Sequence, residues 1–150
     1  MKHLAAPQGL PLAITARYKW LPPDVAALME SLEEVASPDD KSWLLTVNDF
    51  SGASPSAYAW NEWEVQSLAG AAAADQDQGR ATRIENFWAQ HFPIVMSLKS
   101  GYAYFAIESE SLEIVVGEEP EFEEVSKVAS NISDFLEMIL RQDLKIARWI

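Results

Sequence analysis

Three apolar, strand-like runs between Phe92 and Val116, bracketed by segments whose apolar residues recur every three to four positions, predict an α+β fold. Short turn signals separate the three runs, so they form an antiparallel meander, flanked by helices before and after it. At 150 residues, 49% of them apolar, the chain is sized for a single domain with one substantial core.

The elements follow in order. Residues 1–22 read as an irregular or partly extended lead, because Pro7, Gly9 and Pro11 interrupt any regular pattern. A helix opens at Pro23 or Asp24, where proline suits the first turn and an aspartate favours the positive end of the helix dipole. Val25, Leu28, Met29, Leu32 and Val35 keep helical spacing, Glu30, Glu33 and Glu34 face water, and Ser37-Pro38-Asp39-Asp40 ends the element. Trp43–Val47 reads as a short strand and Asp49–Pro55 as a loop. Trp60–Ala74 predicts a second helix, with Asn61 as N-cap and Glu62 and Glu64 in its first turn. Gln76–Gly79 is a polar connection. Ile84–Ala89 is either a helical turn or an edge strand, since periodicity does not decide.

From Phe92 the pattern sharpens. Phe92, Ile94, Met96 and Leu98 share one strand face and Val95, Ser97 and Lys99 the other. Lys99-Ser100-Gly101 is a tight turn, and Tyr102–Ile107 is apolar on both faces, as a covered central strand requires. After the turn at Ser109-Glu110-Ser111, Leu112, Ile114 and Val116 supply the next strand. A last helix starts at Asn131, whose side chain can cap the amide of Asp134. Ile132, Phe135, Leu136, Ile139 and Leu140 form its apolar stripe.

Charge restricts the classes of partner. The formal net charge of −12 repels phosphate backbones and anionic bilayers and attracts basic proteins, so nucleic acid and membrane surfaces are not expected partners. The chain has no cysteine, which removes disulfides, thiolate metal sites and thiol nucleophiles. The interrupted lead lacks a secretory apolar core, and no run approaches the roughly 20 apolar residues of a membrane span. A cytoplasmic location is expected.

Between Lys99 and Lys127 lie eight glutamates and no basic residue: Glu108, Glu110, Glu113, Glu118, Glu119, Glu121, Glu123 and Glu124. The stretch reads either as solvated turns and a protected sheet edge or as a docking face for a cationic protein. Trp60 and Trp63, with Tyr58 nearby, are either core or interface anchors. Trp43, Trp88 and Trp149 are assigned to the core or its rim. His91 has no readable nucleophile or orienting carboxylate, so it is expected to satisfy a backbone group at the start of a strand. Asp75-Gln76-Asp77-Gln78-Gly79 fails as a calcium loop, with glycine at the fifth position, Arg80 at the sixth and Asn86 at the twelfth. Gly52-Ala53-Ser54-Pro55-Ser56 lacks the second glycine of a nucleophile elbow. Glu108 and Glu110, two apart on a strand, would share a face and are the candidate pair for acid–base work in a carboxylate hydrolase. No cofactor is implied.

One family carries this order of features. Phe92-Pro93-Ile94, the turn at Gly101, the run Tyr102-Ala103-Tyr104-Phe105-Ala106-Ile107, Val115-Val116-Gly117, an acidic segment and then Val128-Ala129-Ser130-Asn131-Ile132-Ser133-Asp134-Phe135-Leu136 resemble the SUKH superfamily of Smi/Knr-type domains. Leu21-Pro22-Pro23-Asp24 is similar to its Leu-Pro lead into the first helix. The resemblance spans about residues 86–140. It departs from the family pattern at Lys99-Ser100-Gly101, poorer in Gly and Asp than usual, and in the proline-containing lead, which stands where a helix often precedes the Leu-Pro. The resemblance implies a helix-flanked central sheet over residues 23–150. For bacterial members it implies a non-enzymatic immunity protein that occludes a basic polymorphic toxin. A regulatory adaptor role, in cell-wall control or signalling, is the alternative it leaves. It supplies no catalytic residue. The glutamates Glu108, Glu110, Glu118, Glu119, Glu121, Glu123 and Glu124, with Trp60 and Trp63, are the expected contact residues for that cationic partner.

Overall fold

The computed structural model describes residues 9–32, 35–52, 58–74 and 78–150. Within them the order is α1 (Leu12–Arg17), α2 (Pro23–Ser31), β1 (Ser42–Leu44), α3 (Val47–Ser51), α4 (Glu62–Ala74) and α5 (Gln78–Ala89). Then follow β2 (His91–Ser97), β3 (Ala103–Glu108), β4 (Ile114–Glu118), β5 (Ser126–Ala129) and α6 (Ile132–Leu140). The five strands form one antiparallel sheet in chain order, and β2, β3 and β4 within it are the three-stranded meander that the turn spacing predicts.

β2 and β3 sit inside the sheet and are buried almost throughout, which explains their unbroken apolar character. Tyr104 on one face packs against Trp63 of α4 at 5.2 Å and Trp88 of α5 at 4.6 Å between ring centroids. Phe105, pointing the other way, meets Phe135 of α6 at 4.9 Å and Trp149 at 5.8 Å. The sheet is therefore the middle of three layers, with α4 and α5 on one side and α6 with the segment after it on the other. Gly117 lies opposite Tyr104 in the ladder, and a Cβ there would come within 2.5 Å of the Tyr104 Cζ. Glycine at this position lets the phenol cross the strand and donate to the Phe122 carbonyl.

Several expectations need correcting. Residues 12–17 are helical, with Pro11 at the N-cap, where a missing amide hydrogen removes no intrahelical bond; Met1–Gln8 lie outside the described residues. α2 stops at Ser31 rather than near Ser37: Leu32 is extended, and Ala36 bridges Trp43 beside β1. Glu33 and Glu34 lie outside the described residues. The expected strand Trp43–Val47 is shorter, because Thr46 begins α3. Its amide donates to Asp49 Oδ2 at 2.8 Å, and Gly52, at φ 76°, ends the helix. The loop expected over Asp49–Pro55 is thus helical up to Ser51, and residues 53–57 are outside the described set. Ile84–Ala89 belongs to a helix, and β5 is a strand that no sequence pattern announced. Asn131 caps α6 as expected, its Oδ1 accepting the Asp134 amide at 2.8 Å. Leu140 leaves the expected stripe and is 84% exposed, while Phe135 and Met138 face the core.

Candidate partner-binding face

The meander divides the acidic stretch. The β3–β4 turn stands at one end of the sheet and the β2–β3 and β4–β5 connections at the other, separated by the length of β4, about 15 Å for five residues. At the first end Glu108 accepts from the Ser111 amide at 2.8 Å, the Ser111 hydroxyl at 2.5 Å and the Glu110 amide at 3.2 Å. Burial alone would raise its pKa. The Ser111 and Glu110 hydrogen bonds and the nearby His91 outweigh that and hold it below the ordinary carboxylate value. It caps its own turn, and Glu110 points into solvent, so the two do not form the paired acid–base geometry expected of them. Glu113 pairs with Lys127 at 3.0 Å.

At the opposite end Glu118 accepts from Trp149 Nε1 at 3.2 Å and from Arg148 at 3.1 Å, and Glu119 takes the Tyr102 amide at 3.2 Å. Glu123 turns inward, its Oε2 accepting from Ser67 at 2.9 Å and Trp88 at 3.3 Å. Burial raises its pKa against those two hydrogen bonds. Glu121 and Glu124 are exposed. The glutamates thus do not make one ridge. Strand reversal separates neighbours in sequence, and half of the carboxylates are used by turn amides and indole N–H groups.

Trp63 is core: it is 0% exposed, stacks on Trp88 at 5.9 Å, and donates its Nε1 to the Ala103 carbonyl at 3.1 Å. With no exposed surface, Trp63 is not an interface anchor. Trp60 is half-buried against Phe50 at 5.4 Å and Tyr18 at 6.3 Å. Trp88 is core, and Trp43 and Trp149 lie at its rim, as assigned.

The partly exposed aromatic pair is Tyr58 and Tyr102, whose rings meet edge to face at 6.0 Å, with Trp43 at 6.2 Å from Tyr58. The Tyr102 phenol pKa is raised, first by Tyr58, then by burial, with Glu62 and Glu119 adding to it. Glu62, in the first turn of α4, accepts the Ala59 amide at 3.2 Å. Two tyrosines and two flanking carboxylates therefore share the hairpin end of the sheet; Glu121 and Glu124 are exposed in the β4–β5 connection at that end, whereas Glu118 turns to Trp149. Aromatic faces combined with carboxylates suit guanidinium and ammonium groups. Tyr102 was missed as a site residue because its strand pattern pointed inward. Its position directly after the turn glycine Gly101, at φ 85°, was the signal that it stands at a rim.

His91 does what its position suggested. Its Nδ1 donates to the Phe87 carbonyl at 2.7 Å, its ring stacks on Phe87 at 3.9 Å, and burial lowers its pKa. Among the described residues no group of three or more His, Asp or Glu could hold a metal ion, and Asp75 and Asp77 lie outside that set. No helix of the described residues is long and apolar enough to cross a membrane. No family model matches the chain, and no curated protein or solved structure matches it.

Proposed function

We propose that this chain is a non-enzymatic binding domain, of the immunity type that its sequence resembles, which neutralises a cationic toxin domain by covering it. The supporting observation is the pairing of Tyr58 with Tyr102 beside Glu62 and Glu119, at the end of the sheet that also carries Glu118, Glu121 and Glu124. The tyrosines supply rigid apolar area at small entropic cost, and the carboxylates orient arginines and lysines of the partner. The net charge of −12 steers the encounter.

The test is to search the reading frames adjoining this gene for a cationic toxin domain, purify it and titrate it with this chain; the absence of any such reading frame counts against the proposal. A one-to-one complex is expected, with association slowed at least about tenfold between about 0.1 M and about 1 M salt as the Debye length shrinks. Tyr102→Ala should weaken the complex by about tenfold or more while leaving thermal unfolding unchanged. Failure to associate at either salt, or association indifferent to both salt and Tyr102, rejects the proposal.

A further inference from the structure

On the α6 side of the sheet, an open groove of about 470 Å³ runs between β1 and the segment after α6. This falls within the roughly 300–1,000 Å³ of small-ligand clefts. Leu44, Val95, Ile139, Ile146 and Ile150 make it apolar, and the neighbouring Leu144 is 90% exposed.

Two further observations give the groove a polar end. Ser42 lines it and is only 2% exposed, yet its Oγ has no hydrogen-bond partner among the described residues. Ser42 pairs with Ser97 in the β1–β2 ladder, which places both on one sheet face, and Ser97 Oγ is satisfied by the Trp149 carbonyl at 2.6 Å. A buried hydroxyl without a partner is rare and calls for an explanation. Nearby on the rim, Lys99 donates its Nζ to the Ile150 carbonyl at 3.2 Å. An ammonium has three donors, so Lys99 can donate to a second oxygen without losing the first.

The groove lacks the acidic excess of the rest of the molecule. Residues 141–150 carry three cations and one carboxylate in a chain of net charge −12; of the charged side chains, Lys99 and Asp143 line the groove, and Lys41 is the chain neighbour of the lining residue Ser42. Arg141 is held by Asp143 and Arg148 by Glu118. Asp39 is also near Lys99, but it is turned to the Ser37 hydroxyl and the Lys41 amide. Lys41 and Lys145 make no ion pair among the described residues.

We propose that this groove binds a small amphipathic carboxylate, its aliphatic tail lying over Val95, Ile139 and Ile146 and its carboxylate meeting Lys99 and Ser42 Oγ. The groove adjoins the tyrosine patch only through Trp43 at the sheet edge, which lines the groove and also meets Tyr58 at 6.2 Å.

Decanoate, below its micelle concentration, is the probe for calorimetric titration of the full chain, with decanol and decyltrimethylammonium as head-group controls. One decanoate per chain is expected, bound at least about tenfold more tightly than either control, as a charge-assisted head-group contact requires. Lys99→Gln should weaken decanoate about tenfold. Ser42→Ala should weaken it several-fold without lowering the melting temperature, whereas a purely structural hydroxyl would cost stability on removal. Ala147→Trp, at an exposed lining position, should fill the groove and abolish binding in a protein that still melts cooperatively. Absence of decanoate binding overturns the proposal, as does equal binding of the cationic analogue or equal binding by the folded Ala147→Trp variant.

Discussion

Replacing Arg17 by methionine should be among the most damaging single changes outside the aromatic core. Arg17 at the end of α1 grips Glu64 in the first turn of α4 with both nitrogens, Nη1 to Oε1 at 2.8 Å and Nη2 to Oε2 at 2.6 Å. Only 5% of the Glu64 side chain is exposed, against 27% of Arg17, so the carboxylate depends on this partner more than the guanidinium does. Breaking a buried pair from one side costs about 3–5 kcal/mol. Here the outer part of Arg17 touches water and Asn61 Nδ2 still reaches Glu64 at 3.3 Å, which reduces the expected loss to about 2–3 kcal/mol. In a domain of this size that corresponds to about 4–12 °C in melting temperature. Urea and thermal unfolding of Arg17→Met, Glu64→Gln and the double variant would measure it. The double variant should recover most of the loss, because no buried charge is stranded. An Arg17→Met protein within about 0.5 kcal/mol of wild type would refute the reasoning.

Gly117→Ala should destabilise by about 1–3 kcal/mol, since the new Cβ collides with the Tyr104 ring, and the loss should shrink in a Tyr104→Leu background; urea midpoints decide. Glu123→Gln should raise the melting temperature near neutral pH. The folded pKa of Glu123 is raised, so its ionisation opposes folding above that pKa, whereas glutamine keeps an acceptor for Ser67 and Trp88 without the charge. The gain should vanish in acid, where the wild-type carboxyl is protonated. For His91 the folded pKa is depressed, so the unfolded chain takes up the proton first. Stability should therefore fall as pH drops through about 6.5 in denaturation series, and a His91→Gln variant should lose that component.

The parts of the fold legible in sequence were those where a local pattern and the tertiary environment agree. The apolar runs of β2 to β4 could only be covered strands, and Asn131 with Asp134 announced the start of α6. The misses have separate causes. Ser126-Lys127-Val128-Ala129 has little apolar alternation because β5 is an edge strand, three of whose residues are partly or wholly in solvent. α1 was hidden by treating Pro11 as a breaker when it is the residue just before a first turn. The signal for α3 was present in Thr46 and Asp49, three apart, but was outweighed by the glycine, serine and proline that follow.

The candidate site was less legible than the fold for a geometric reason. Charge density along a chain becomes charge density on a surface only if the chain does not double back, and between Glu108 and Glu124 it reverses twice. Glu108 and Glu119 are eleven residues apart and occupy opposite ends of the sheet. Glu62 and Glu119, fifty-seven residues apart, both act on the Tyr102 phenol.

The different origin of the two covering layers has a consequence for biosynthesis. Trp63 and Trp88 precede β2, so Tyr104 meets its packing partners as soon as it leaves the ribosome. Phe105 has no such provision, because Phe135 and Trp149 are translated last. A nascent chain halted just before Asn131 would carry all five strands with one side bare, a species prone to adhere to its own kind and a natural client for a chaperone.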